Sequence, residues 1–211
     1  MAQRRVIIAH GWNDGGNNQW INWLVSELER RRYQVVQPIF PHVHVPRPAD
    51  WVQTLRTAAG ELDDQTVLVG YSLGVPTVLR FLNDYPEPVQ IAGLILVAGF
   101  GDGLGGRPAA LFAPPLDYKL LQSRAAHRVC IYSDNDYLIS PKLSQRLAAD
   151  LKAREVIVIG GGHLIGLPVV PGSVDRLPSV LEAIQASYRL RIRYTWRRGI
   201  ASVRRWLSKL R

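Results

Sequence analysis

The sequence predicts an α/β domain built on a mostly parallel sheet of about six strands with helices on both faces. Three observations carry this. Short apolar runs rich in β-branched residues alternate with longer segments whose apolar residues recur at helical spacing, the pattern of repeated strand–helix–strand units. The 211 residues are 47% hydrophobic and 20% charged, which suits one globular domain with a full core. Finally, His10, Ser72, Gly99, Asp136 and His163 each stand just past the end of an expected strand. A parallel sheet brings such positions to one edge, where ligands bind.

The elements follow in order. Arg5 to Ala9 reads as a buried strand, and Asn17 to Arg32 as a helix with Trp20, Trp23, Leu24 and Leu28 on one side and Asn17 or Asn18 as its cap. Tyr33 to Gln37 is a second strand. After a proline-rich loop, Asp50 is expected to cap a helix ending at Ala59, with Trp51, Leu55 and Ala58 facing inward. Val67, Leu68 and Val69 form the third strand, and Val75, Val78, Leu79 and Leu82 mark the helix after it. Ile91 to Ala98 is the fourth strand. The glycine- and proline-rich stretch from Gly99 to Pro115 reads as a lid or binding loop. Tyr118 to Arg124 is a short helix and Arg128 to Tyr132 the fifth strand. Ser140 and Pro141 open a helix to Leu151, Glu155 to Ile159 is the sixth strand, and a last helix begins at Ser173 or Asp175 and ends at Arg189.

The net charge of +9 is unevenly placed. Between Tyr188 and Arg211 lie nine basic residues and no acidic one, leaving 17 basic and 17 acidic residues elsewhere. A neutral body argues against a nucleic-acid platform. Within the tail, Trp196, Ile200, Val203, Leu207 and Leu210 form an apolar stripe on an arginine-rich helix. Such a helix suits an anionic membrane surface or a protein partner, and a solvated basic extension is the plainer reading. The expected division is a body of residues 1–186 and a basic amphipathic extension of residues 187–211. The single cysteine, Cys130, excludes an internal disulfide and reads as a buried strand residue. The apolar run at the N-terminus is too short for a signal peptide. A cytoplasmic location fits, with the tail able to reach the inner face of the membrane.

Chemistry concentrates at Gly70-Tyr71-Ser72-Leu73-Gly74. A serine on a tight turn between strand and helix is a nucleophile elbow, where glycines stand at the positions a Cβ would crowd and the hydroxyl is lifted to the edge of the sheet. A serine nucleophile needs a base, and the base an orienting acid, in the chain order serine, acid, histidine. His163 follows three glycines, and Asp134 and Asp136 follow the fifth strand, so either acid can serve at this point. An oxyanion needs N–H donors: Leu73 supplies one, and Trp12, or less readily Asn13, the other. His10 reads as a loop-fixing residue. His42 and His44 lack a third ligand nearby, so no metal is expected; the glycines from 99 to 106 lack the Lys-Ser/Thr of a phosphate loop.

These motifs resemble the small serine hydrolases typified by retinoblastoma-binding protein nine and its bacterial relatives. The similarity spans roughly Arg4 to Gln185 and rests on VIIAHGW, the tryptophan-rich first helix, Asp50-Trp51, VGYSLG, LILVAG, SDNDYLIS and GGGHL. The resemblance implies a compact α/β-hydrolase fold whose triad is Ser72, Asp136 and His163; Ser140 stands where relatives often carry proline. The expected activity is cleavage of carboxylic esters with short to medium acyl groups, without a cofactor. Pocket candidates are His10, Gly11, Asn13, Tyr71, Phe100, Leu104, Leu111 and Phe112. An amidase or thioesterase uses the same triad, and a weakly active scaffold recruited through its basic tail is the alternative of a different class.

Overall fold

The computed structural model describes residues 3–12, 18–102, 115–166 and 174–189. Its strands are β1 (Arg5–Ala9), β2 (Gln34–Val36), β3 (Thr66–Tyr71), β4 (Ile91–Val97), β5 (Ala125–Ser133) and β6 (Arg154–Val158). Its helices are α1 (Gln19–Arg30), α2 (Pro48–Ala59), α3 (Gly74–Asn83), α4 (Tyr118–Arg124), α5 (Pro141–Leu151) and α6 (178–189). The strands form one sheet in the order β2-β1-β3-β4-β5-β6, and every neighbouring pair is parallel.

Strand alternation sends side chains to two cores. Ile7, Ala9 and Leu68 face one layer with Trp51, Leu55, Val78, Leu79 and Leu147, contributed by α2, α3 and α5. Val6, Ile8, Val67 and Val69 face the other, against Trp20, Leu24 and Leu28 of α1 and Val180 and Ile184 of α6. Because both faces are covered, β3 and β4 are buried along their whole length. Cys130 is one of these interior residues, and burial, reinforced by Glu155, pushes its thiol up to about 12.

Differences from the expected elements have local causes. Helix α2 starts at Pro48, which suits a first turn; Arg47 is its cap residue, and Asp50 lies in the first turn instead of capping. Asn18 caps α1 by accepting from the Ile21 N–H at 3.4 Å. Ser140 stands at the cap of α5 without a side-chain capping bond. Strand β5 begins three residues before Arg128, at Ala125, because Ala125 and His127 pair with Ile91 and Gly93 of β4 although they form no apolar run. Helix α6 buries Ser187 and Tyr188, and the Tyr188 hydroxyl donates to the Arg5 and Gln65 carbonyls at 3.0 Å each. These two residues, expected to open the extension, therefore pack with the body. The remaining tail, 190–211, lies outside the described residues. Among the described residues no helix is long and apolar enough to cross a membrane.

The sheet positions the site. From β1 the chain crosses to β2 on one side, while β3 pairs with β1 on the other. This reversal makes the carboxyl ends of β1 and β3, where Gly11 and Ser72 stand, the switch point at which open parallel sheets bind ligands.

Candidate active site

Ser72 occupies the turn between β3 and α3 with φ 51°, a left-handed conformation that non-glycine residues rarely hold. The turn is fixed by the Ser72 N–H donating to the Val97 carbonyl at 2.9 Å and the Val75 N–H donating to the Ser72 carbonyl at 3.0 Å. Its glycines answer to close backbone approach. A Cβ on Gly74 would lie 2.1 Å from the Ala9 carbonyl oxygen, and one on Gly70 2.8 Å from the Gly74 oxygen. Both are well inside contact distance, so α3 starts hard against the end of β1.

The Ser72 Oγ lies 3.0 Å from His163 Nε2, and His163 Nδ1 lies 2.8 Å from Asp136 Oδ2. A carboxylate only accepts, so the Nδ1–H donates to Asp136 and Nε2 is left to accept from the serine hydroxyl. His163 and Asp136 are 5% and 8% exposed, which shields their hydrogen bond from competing water. The second oxygen of Asp136, Oδ1, accepts from the Leu138 and Ile139 N–H groups at 2.9 Å each, fixing the carboxylate on its own turn. Asp134 is engaged elsewhere: its Oδ1 accepts from the Gly160 N–H at 2.8 Å.

Around this line the other predicted residues divide. Gly11 lies against the nucleophile; a Cβ there would meet Ser72 Cβ at 3.1 Å. Trp12 is 61% exposed, and its indole N–H donates to the His44 carbonyl at 3.1 Å. His10 packs edge-on against Phe40 and Trp51, with ring centroids 5.0 and 5.6 Å away, and its Nδ1 meets the Gly11 carbonyl at 2.8 Å. Tyr71 is buried, and its hydroxyl donates to the His163 carbonyl at 3.1 Å, so it supports the histidine loop from beneath. Phe100 is also buried: with Ile139 it forms a small apolar cluster against Leu73 and Leu143, and so belongs to packed interior instead of an open pocket wall. Asn13, Leu104, Leu111 and Phe112 lie outside the described residues. Sequence reasoning missed Trp20, whose buried indole donates to the Leu164 carbonyl at 2.9 Å, and Asn135, whose Oδ1 accepts from the Gly162 N–H at 2.8 Å. No local pattern marks either contact, since each closes over a long separation in sequence.

The sequence profile of the serine hydrolase family matches residues 6–167, which include the elbow, both acids and His163. The chain belongs to the serine hydrolase family. As a member it is an enzyme, a hydrolase. Among its relatives is the YdeN protein of Bacillus subtilis, 31% identical over 175 residues, covering 79% of this chain and 92% of that protein. The crystal structure of the ydeN gene product aligns with a TM-score of 0.81 at 28% identity, covering 89% of this chain and all of that one. A YdeN-like protein from Pectobacterium atrosepticum aligns with a TM-score of 0.63 at 20% identity over 89% of this chain and 92% of that chain. Est1E from Butyrivibrio proteoclasticus aligns at 0.64 with 14% identity over 90% of this chain and 88% of that one. The last two likenesses concern the fold alone, the α/β-hydrolase sheet with helices on both faces.

Proposed function

We propose that this hydrolase cleaves carboxylic esters through an acyl-enzyme on Ser72, with His163 as general base and acid and Asp136 as its orienting carboxylate. The observation that carries the reading is the unbroken line of two hydrogen bonds from Ser72 Oγ through the imidazole to Asp136, at 3.0 and 2.8 Å. Ser72 Oγ attacks the carbonyl carbon while its proton passes to His163 Nε2. The oxyanion accepts from the backbone N–H groups of Leu73, at the start of α3, and of Trp12. His163 then returns the proton to the departing alkoxide, and an alcohol leaves. Water attacks the acyl-enzyme by the same route, giving its proton to His163, which restores it to Ser72 as the carboxylic acid departs. The ester, water and these side chains carry every proton and electron pair in these steps.

The exposed apolar side chains Trp12, Tyr137 and Leu138, from the loops that carry the nucleophile's neighbour Gly11 and the acid, support an uncharged acyl group of short to medium length. The test is turnover of p-nitrophenyl acetate, butyrate, octanoate and palmitate. Turnover should favour the shorter chains. It should fall by about 10⁶-fold in Ser72→Ala and by about 10⁴-fold in Asp136→Asn, which presents the imidazole in the wrong tautomer. Retained turnover in Ser72→Ala would overturn the reading. For the tail, the apolar stripe set among arginines in the sequence supports engagement of an anionic surface. Full-length protein should co-sediment with anionic vesicles and not with zwitterionic ones, and equal recovery from both would remove that assignment.

A further inference from the structure

Three consecutive residues after β5 grip the histidine loop at three points. Asp134 takes the Gly160 N–H, Asn135 takes the Gly162 N–H, and Asp136 takes the His163 ring, each at 2.8 Å. Gly160 and Gly162 have φ values of 69° and 56°, left-handed positions that turn alternate N–H groups toward β5. Asn135 is the member of this grip nearest the imidazole without touching it. Its Oδ1 also accepts from the Ser133 Oγ–H at 2.6 Å, and Ser133 is fully buried, so the amide is held from behind by an interior side chain.

We infer that Asn135 is a positioning residue for His163: it fixes the Gly162 peptide, and through it the imidazole, with a neutral acceptor. Neutrality is a second and smaller advantage, after the acceptor itself. The next residue is the Asp136 carboxylate, and a second carboxylate at position 135 would repel it and add negative charge beside the imidazole. An amide oxygen gives the same acceptor geometry without that charge. Among the long-range anchors of the loop, Tyr71 to the His163 carbonyl, Trp20 to the Leu164 carbonyl and the Gln19 N–H to the Gly166 carbonyl act on or after the histidine. Asn135 therefore controls the peptide by which the chain approaches it.

This inference rests on the proposed roles of Ser72 and His163, and the experiment separates the two. Steady-state turnover of p-nitrophenyl butyrate is measured for full-length wild type, Asn135→Ala and Asn135→Asp, with the thermal midpoint of each. Loss of the acceptor in Asn135→Ala should lower kcat by about 10- to 100-fold, the scale of a small misplacement of a catalytic group, and leave KM within about twofold. Asn135→Asp keeps an acceptor for both donors and should recover kcat to within about threefold of wild type despite the added charge. An alanine variant as active as wild type would overturn the inference and leave the ester-hydrolase reading intact. So would a folded aspartate variant as impaired as alanine, or a loss confined to the thermal midpoint. If the alanine variant does not fold, the aspartate variant alone decides. A wild type that is folded but silent on every ester would remove the underlying reading, and this inference with it.

Discussion

At the scale of single residues, the site is organised by backbone conformations that cost stability. Ser72 holds φ 51° because the turn around it is over-determined by its bonds to Val97 and Val75. Glycine adopts that conformation freely, so Ser72→Gly should raise stability by about 1 kcal/mol while abolishing turnover. The check is urea denaturation of the two proteins beside an ester assay. Gly74 has the opposite sensitivity. A methyl group there would sit 2.1 Å from the Ala9 carbonyl oxygen and 2.8 Å from that of His10, so backbone itself would have to shift. Gly74→Ala should lose at least about 2 kcal/mol, read in the same denaturation. Both positions could be read in the sequence, because glycine–serine–glycine spacing reports local geometry. Trp20 and Asn135 could not. Asn135 meets Gly162 across a separation of 27 residues, and only the pairing of β5 with β6 brings them together.

At the scale of elements, strand ends were legible to within a residue where an apolar run marked them, as in β1, β4 and β6, whereas β3 runs two residues past Val69 into the elbow. The start of β5 was not, since Ala125-Ala126-His127 owes its strand conformation to pairing with β4 and not to its own side chains. The nature of α1 was plain from its tryptophans, but its contribution to the site was not. Trp20 ties α1 to the loop after His163 through the Leu164 carbonyl, and the Gln19 N–H meets the Gly166 carbonyl at 2.7 Å. Trp20→Phe leaves the Leu164 carbonyl buried without this donor, which should cost about 1–3 kcal/mol. Hydrogen exchange should locate the effect. Amides of residues 160–164 should exchange faster in the variant, whereas those of β3 and β4 should change only by the global loss of stability.

At the scale of the whole molecule, the sheet is tied to its helical layers by polar contacts as well as by apolar packing, and His127 makes one such contact. Its Nδ1 lies 3.0 Å from Ser187 Oγ, joining β5 to α6. Burial, and then the neighbouring Arg154 and Arg128, lower its pKa below the usual histidine value. The charged form is thus disfavoured in the folded state, and the unfolded chain binds the extra proton first. Stability should therefore fall as pH drops below about 6.5, and be fully present above it. His127→Gln keeps a donor for Ser187 and removes the titration. The stability difference between about pH 7.5 and pH 5.5 should be smaller in that variant than in wild type, as measured by urea midpoints.

The fold and the family leave one claim on which the functional account turns, that Ser72 is activated by His163. The most direct test is labelling of the folded, full-length protein with a fluorophosphonate, followed by mass spectrometry of the peptides. The account predicts a single adduct on Ser72, absent from Ser72→Ala and strongly reduced in His163→Ala. An adduct on a different serine, or labelling of Ser72 at the wild-type rate in His163→Ala, would contradict it.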